Sequence, residues 1–367
     1  SDDTERGKRM SESINELLRE LTEAPGVPGF EEPVRKIMES RLQGLCELSG
    51  DRLGSLIARK QGSADSPRIM FAGHMDEVGF MVTQITDEGY LKFQTLGGWW
   101  EQVMLAQRVV VHTRKGELVG VIGSKPPHIL SAEERKKIVE KKDMFVDIGV
   151  ASREEAMEKG VRPGDPIVPL CPYTPLANPK YVMAKAFDNR VGCALVVEII
   201  KRLQSVPHPN TAYGVATVQE EVGLRGAATS TFAVEPDIAF ALDTGVAGDT
   251  PGIRKEDAQE KLGQGPVILL YDASLVPHRR LRDFVLDVAE ECGIPIQFDS
   301  MAGGGTDAGR MHLFGRGVPS LAIAVPVRYI HSHAGILHLD DVENTARLMV
   351  EVIRRLDADR VKEITGE

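Results

Sequence analysis

Four short apolar runs, each followed closely by an acidic residue or a histidine, constrain the fold of this 367-residue chain most strongly. Their lengths and their content of alanine and β-branched residues are typical of buried strands in an α/β sheet. The runs are Arg68–Ala72, Tyr213–Val218, Ile238–Leu242 and Leu321–Val327. Because ligands of such sheets bind outside the carboxyl ends of the strands, we expect the polar residues after these runs to form one site.

A pair of adjacent carboxylates, Glu220 and Glu221, follows the run that ends at Val218. Two neighbouring carboxylates at the rim of a sheet repel each other unless a cation stabilises at least one of them. A divalent metal would do so, with one glutamate as a ligand and the other free to move protons. Taken alone, the pair is equally compatible with a solvated acidic turn.

Four further segments place metal-binding residue types at comparable positions. His74 and Asp243 follow two other apolar runs, and Asp188 precedes Val191–Leu203, whose pattern predicts a helix. The fourth segment contains both His331 and His333, and the residues alone leave either one open as a ligand. Together with the glutamate pair, these residues form the nitrogen and oxygen ligand set of a dinuclear zinc or cobalt site.

The segment of residues 77–170 has a different pattern, with closely spaced β-type runs separated by Glu-Gly and Lys-Gly turns. We predict a small β-barrel-like domain here, inserted into an α/β domain that residues 1–76 and 171–367 form together. The insert carries many apolar residues, which predicts an exposed apolar face and self-association. Its Trp99-Trp100 pair could also be a platform for a sugar, although packing or a subunit contact is the favoured interpretation.

The composition excludes several classes of function. A formal net charge of −10 argues against a nucleic-acid partner. No apolar run approaches the ~20 residues of a membrane span, and residues 1–9 lack the apolar core of a signal peptide. The four cysteines are far apart and form no C-x-x-C pair, which is typical of a cytoplasmic protein with reduced thiols.

Five motifs in order resemble those of the tetrahedral aminopeptidases and glutamyl aminopeptidases, over nearly the whole chain. These motifs are Gly73–Gly79, Ala186–Arg190, Gln219–Gly226, Asp243 and Arg328–Ser332. Members of this family are dinuclear metallo-aminopeptidases, and some relatives are labelled deblocking aminopeptidase or endoglucanase. The resemblance implies a mixed-sheet, three-layer metallopeptidase domain, an inserted dimerisation domain, and dimers that assemble into a hollow tetrahedral dodecamer.

The resemblance also implies individual roles for the residues of the site. One metal would be held by His74, Asp188 and Asp243, and the other by Asp188, Glu221 and His331, so that Asp188 bridges them. Glu220 would be the general base, and Asp76 would orient His74. A Gly-Gly-Thr-Asp stretch lines the cleft in this family, which implies that Gly305, Thr306 and Asp307 contact the substrate.

The predicted function is therefore a metal-dependent aminopeptidase that releases amino acids from peptides with a free N-terminus. Water between two divalent ions, zinc or cobalt, would attack the carbonyl while Glu220 accepts its proton and passes it to the leaving amine. A dinuclear amidohydrolase acting on N-acyl amino acids is the main alternative. A glycosidase is disfavoured, because Glu220 and Glu221 on an extended chain would point to opposite sides. Arg254, Lys255 and Lys261 mildly favour acidic N-terminal residues.

Overall fold

The computed structural model describes residues 14–367, so the expectations for residues 1–9 lie outside the described part of the chain. Helix α1 is described over residues 14–23. The other helices are α2 (Glu32–Leu42), α3 (Arg153–Glu158), α4 (Phe187–Arg202), α5 (Arg225–Val234), α6 (Arg279–Glu291), α7 (Ala308–Met311), α8 (Leu339–Arg354) and α9 (Ala358–Thr365). No helix within residues 14–367 is both long enough and apolar enough to cross a membrane.

The strands fall into two groups along the chain. Those up to the end of the β-rich segment are β1 (Glu47–Gly50), β2 (Leu56–Gln61), β3 (Arg68–His74), β4 (Gly79–Ile85), β5 (Leu91–Leu96), β6 (Arg108–Thr113), β7 (Gly116–Gly123), β8 (Phe145–Asp147) and β9 (Pro166–Pro169). Those that follow are β10 (Thr174–Pro175), β11 (Tyr181–Ala184), β12 (Thr211–Thr217), β13 (Ile238–Val246), β14 (Val267–Asp272), β15 (Gln297–Met301), β16 (Ser320–Val327) and β17 (Gly335–His338).

A mixed sheet of eight strands forms the centre of the α/β part, in the order β1-β2-β12-β3-β13-β16-β14-β15. The four central strands β12, β3, β13 and β16 are parallel neighbours. The strands next to them, β2 and β14, run antiparallel. The carboxyl ends of the four parallel strands therefore meet at one edge of the sheet.

Helices cover both faces of this sheet. Ile69 and Phe71 of β3 belong to the large core beneath α1, α2, α4 and α8. The alternate residues Met70 and Ala72 pack on the opposite face with Val234 at the end of α5. Because successive side chains of a strand point to opposite faces, a continuous apolar run fits a strand that is covered on both sides. The predicted three-layer mixed-sheet architecture is confirmed.

A closed antiparallel barrel is separate from this sheet and contains the strands in the order β4-β5-β8-β7-β6-β9. Its first strand, β4, begins at Gly79, after β3 has ended at His74. Trp99 lies in the barrel core, where its ring stacks on Phe80 at 4.7 Å and its indole N–H donates to the carbonyl of Gly79. Trp99 therefore serves packing, whereas Trp100 is exposed.

Candidate metal centre and active site

The sheet edge brings together the five residues predicted as metal ligands. His74 is the last residue of β3 and pairs with Thr217, the last residue of β12. The others lie near the ends of β12, β13 and β16 or at the start of α4, and they are Glu221, Asp243, His331 and Asp188. Asp188 and Asn189 have non-helical backbone angles at the start of α4, so this carboxylate projects from an irregular first turn.

Asp188 lies between the two imidazoles. Its Oδ1 is 3.2 Å from Nε2 of His74, and its Oδ2 is 3.0 Å from Nε2 of His331. On one side, Oδ1 of Asp243 is 3.7 Å from the same His74 nitrogen. On the other side, Oε2 of Glu221 is 3.2 Å from the His331 nitrogen. Each oxygen of Asp188 thus faces a different histidine.

These donors fit divalent metal ions. Both predicted groups, His74 with Asp188 and Asp243 and Asp188 with Glu221 and His331, offer ligand atoms within 4.8 Å of one another. A third group, His74 with Glu220 and Glu221, does so too. Imidazole nitrogen and carboxylate oxygen are ligands that zinc and cobalt accept. In addition, Oε1 of Glu221 is buried and has no hydrogen-bond partner among the described residues. A buried carboxylate oxygen without a partner is costly, and a bound cation would remove that cost.

The orientation of His74 leaves one ring nitrogen available to a metal. Its Nδ1 lies 3.0 Å from the backbone carbonyl of Asp76. Because a carbonyl oxygen only accepts, Nδ1 donates in this contact, and Nε2 is the ring nitrogen that faces the carboxylates and could bind a metal in place of a proton. The carboxylate of Asp76 lies 3.4 Å from Nδ1, but it also accepts the backbone N–H groups of Glu220 and Glu221, at 3.0 and 2.9 Å. Asp76 thus contacts both His74 and the glutamate pair, and the second contact was not anticipated.

Glu220 and Glu221 face the same imidazole, because the segment that carries them is not extended. Gln219 is in the left-handed region, with φ of 53°. As a result, Oε2 of Glu220 is 3.4 Å and Oε1 of Glu221 is 4.0 Å from Nε2 of His74. The expectation that these side chains point to opposite sides was wrong, and the reason is the turn that begins at Gln219.

Burial and mutual repulsion shift the ionisation of the acidic groups. Burial raises the pKa of Glu221 to about 7, with a further contribution from the charge of Asp188, and burial raises the pKa of Asp243 to about 6. The pKa of Glu220 is also raised well above its usual range, mainly by burial. Burial opposes ionisation of Asp188 too, but hydrogen bonds from His331 and His74 outweigh it and lower the pKa of Asp188. So dense a group of carboxylates favours the binding of positive charge.

A cavity of about 800 Å³ opens onto this cluster and is lined by Glu220, Glu221, Asp243 and His331 among others. Two of the three residues predicted to contact substrate, Gly305 and Thr306, also line it. The side chain of Asp307 instead accepts a hydrogen bond from the Thr217 hydroxyl at 2.6 Å, beside the strand end.

The two histidines that the sequence left open have different environments. Only His331 approaches Asp188 and Glu221. The ring of His333 lies 5.2 Å from the ring of Trp99, and burial lowers its pKa to about 4. His333 therefore packs with the barrel, and His331 is the histidine of the cluster.

Sequence reasoning missed a buried ionic group beneath the site. The carboxylate of Glu77 accepts from Lys185 Nζ at 2.8 and 2.9 Å and from Arg190 Nη2 at 2.7 Å. Arg190, which is fully buried, also donates to the backbone carbonyl of Met75. This group links the end of β3, which carries His74, to the start of α4, which carries Asp188. Both Glu77 and Arg190 lie inside the motifs described above. They are 113 residues apart in the sequence, and opposite charges at such a separation do not indicate a contact.

Comparison with known proteins agrees with the fold. The model of the M42 glutamyl aminopeptidase family matches residues 54–348, and a second model, described as AMPT, matches residues 13–38. The family is one of aminopeptidases, enzymes that hydrolyse peptide bonds. The chain belongs to the M42 glutamyl aminopeptidase family.

Relatives with similar sequences span nearly the full length of the chain. The putative aminopeptidase FrvX of Escherichia coli is 43% identical, over 94% of this chain and 96% of the relative. The glutamyl aminopeptidase of Lactococcus lactis is 38% identical, over 95% and 98%. The lysyl aminopeptidase of Pyrococcus furiosus is 35% identical, over 93% and 97%.

Solved structures of related proteins are also similar to this chain over nearly its full length. A TET aminopeptidase from a marine sediment archaeon, Thaumarchaeota archaeon SCGC AB-539-E09, superposes with a TM-score of 0.94 at 51% identity, and the match covers 96% of this chain and 99% of the other. The TET1 peptidase of Pyrococcus horikoshii, which can assemble into a tetrahedron or a large octahedral shell, gives a TM-score of 0.84 at 37% identity, over 94% and 100%.

Proposed function

We propose that this protein is a two-metal aminopeptidase that releases N-terminal amino acids from peptides, with Glu220 as its general base. The observation that carries the proposal is the position of Asp188, whose two carboxylate oxygens face His74 and His331 separately. Asp243 and Glu221 complete the two ligand groups on either side. Zinc and cobalt both suit these donors.

Two divalent ions bound there would polarise the scissile carbonyl and lower the pKa of the attacking water. The protein supplies the proton transfers. Glu220 lies at the cavity wall and, unlike Glu221, makes no close contact with His331, so its carboxylate is free to accept a proton and pass it to the leaving amine. Gly305 and Thr306 line the same cavity and are our candidates for contact with the substrate backbone.

The charge of the cavity wall bears on the N-terminal residue that is accepted. Asp257 and Asp299 line the cavity, and neither lysine nor arginine is found among its described lining residues. Arg254, once a candidate for binding acidic substrates, forms an exposed ion pair with Asp257. Burial raises the pKa of the nearby Glu260 carboxyl well above its usual range, and the charge of Asp299 adds to this effect. We expect N-terminal lysine and leucine to be cleaved faster than N-terminal glutamate, as a comparison of kcat/KM values would measure.

A panel of chromogenic aminoacyl anilides, with free and with acetylated amino groups, tests the proposed function. We expect hydrolysis of the free-amine substrates only, loss of activity on chelation with EDTA, and recovery when zinc or cobalt is added. Faster hydrolysis of acetylated substrates would instead support the N-acyl amidohydrolase. Activity on a chromogenic glucoside that persists in EDTA would support a glycosidase.

We further propose that the barrel joins two chains into a dimer and that dimers assemble into a closed dodecamer. The TET1 relative forms a tetrahedron or an octahedral shell. On this chain, the outer face of β7 carries the exposed apolar side chains of Val119 and Val121. The free state of all four cysteines supports the proposed cytoplasmic location.

A further inference from the structure

Glu31 lies at the N-terminus of α2, but its carboxylate does not cap that helix. The side chain is buried and points towards the catalytic edge of the sheet. Its Oε1 accepts two backbone N–H groups, from Gly29 at 3.0 Å and from Gln219 at 2.9 Å. Gln219 is the residue immediately before Glu220, although it is 188 positions away from Glu31 in the sequence.

This contact continues the row of hydrogen bonds made by Asp76. The N–H groups of Gln219, Glu220 and Glu221 are successive in the chain, and each points at a carboxylate oxygen. Glu31 binds the first, and Asp76 binds the second and third. Two acidic residues from separate segments therefore fix the backbone that carries both catalytic glutamates.

The turn needs this support because Gln219 has a left-handed backbone, which is unfavourable for a residue with a side chain. The carbonyl groups of the turn are also paired, since those of Val218 and Gln219 accept the N–H groups of Gly226 and Arg225. Without an acceptor at Glu31, the N–H of Gln219 would be left unpaired at a partly buried position, and the adjoining left-handed residue could relax. Such a shift would move the carboxylate of Glu220 relative to His74.

We infer that Glu31 is a positioning residue for Glu220: it holds the Gln219–Glu221 turn in the conformation that aims the general base into the cavity. It acts through the backbone of Gln219, and it is not among the residues that line the cavity. The inference rests on the proposed role of Glu220.

Glu31→Ala and Glu31→Gln test this role, with Glu23→Ala as a matched control. Glu23 accepts one backbone N–H from a distant residue, Tyr173 at 3.1 Å, and it does not line the cavity. With metal content verified, we expect Glu31→Ala to lower kcat about ten-fold with little change in KM, the effect of losing the hydrogen bond that holds the Gln219 N–H. Glu31→Gln retains an acceptor oxygen and should restore most of kcat, whereas Glu23→Ala should leave kcat within about two-fold of the parent protein.

A double-substitution cycle shows whether Glu31 acts through Glu220. In the Glu220→Gln background there is no base left to position, so adding Glu31→Ala should cause no further loss of kcat. The inference would be overturned if the fold-losses in kcat of the two single variants multiplied in the double variant, or if Glu31→Ala left kcat unchanged. A fully active Glu220→Gln would instead overturn the proposed function, whatever the result for Glu31.

Discussion

At the scale of the residue, two neighbouring glutamates acquire different roles from their surroundings. Glu221 lies 3.2 Å from His331 and belongs to a ligand group with Asp188. Glu220 has His74 as its nearest ring and lines the cavity. The single bend at Gln219 brings both carboxylates to one site, where they can divide metal binding and proton transfer.

Substitution of Glu220 and of Asp188 should separate these two roles. Glu220→Gln removes the proton acceptor but no bridging ligand, so we expect kcat to fall by about 10²–10⁴-fold with two metals still bound. Asp188→Asn weakens the one group shared by both ligand sets, so this variant should lose metal as well as activity. The metal content of both variants, measured by plasma emission spectroscopy, is compared together with their kcat values. Equal metal loss in the two variants would contradict the assignment.

The residues that come together at the sheet edge could be predicted because each of them follows a buried strand or begins a helix, and those patterns are local in the sequence. The choice of His331 over His333 came from family resemblance, since both occupy the same short segment. Glu31 and Lys185 could not be predicted. Their roles depend on contacts with Gln219 and Glu77, 188 and 108 residues away, and no local pattern encodes such pairing.

At the scale of the element, the site depends on a fixed position of β3 relative to α4. Glu77 follows β3, and Lys185 and Arg190 lie on either side of Asp188, so one buried carboxylate joins the two elements that carry His74 and Asp188. Removing one partner of a buried ion pair is strongly destabilising, because it leaves an uncompensated charge inside the protein.

Glu77→Gln should therefore lower the free energy of unfolding by about 3–5 kcal/mol, because two buried cations lose their counter-charge. A denaturant titration that is monitored by circular dichroism would measure this change in the free energy of unfolding. Glu343→Gln is the control, since Glu343 pairs with Arg202 at 2.6 Å but its side chain is 33% exposed. That change should cost only about 0–1 kcal/mol. Equal effects would show that the buried group carries no special stability.

The strands that apolar runs indicated lie within a few residues of their predicted bounds. The run Tyr213–Val218 became β12, Thr211–Thr217, and the run Ile238–Leu242 became the longer β13, Ile238–Val246. Continuous apolar runs identify strands that are buried on both faces. The edge strand β15, Gln297–Met301, alternates between half-buried and exposed residues and gave no such signal. The order of the strands was not predictable either, because it depends on pairing between distant segments.

At the scale of the whole molecule, the barrel carries the surface that we propose for assembly. Val119 and Val121 lie two residues apart on β7, and both are exposed. Light scattering on the purified chain should show a particle of roughly twelve chains, or dimers where the larger assembly is weak.

The double substitution Val119→Asp and Val121→Asp should reduce the particle mass without unfolding the barrel, because both side chains point outwards. Circular dichroism checks that the fold is retained. A parent protein that is monomeric at micromolar concentration and fully active would contradict the proposed assembly, and an unchanged mass in the variant would place the interface elsewhere.

The position of the barrel in the chain has a consequence for synthesis on the ribosome. His74 is made before the barrel, whereas Asp188, Glu221, Asp243 and His331 are made after it. Since chains emerge from the N-terminus onwards, the barrel can fold while the site still lacks most of its ligands. The first of the two proposed ligand groups is complete only when Asp243 has been added, and the second only when His331 has been added. If these five residues bind the two metals as we propose, a nascent chain cannot hydrolyse other polypeptides before His331 has been made.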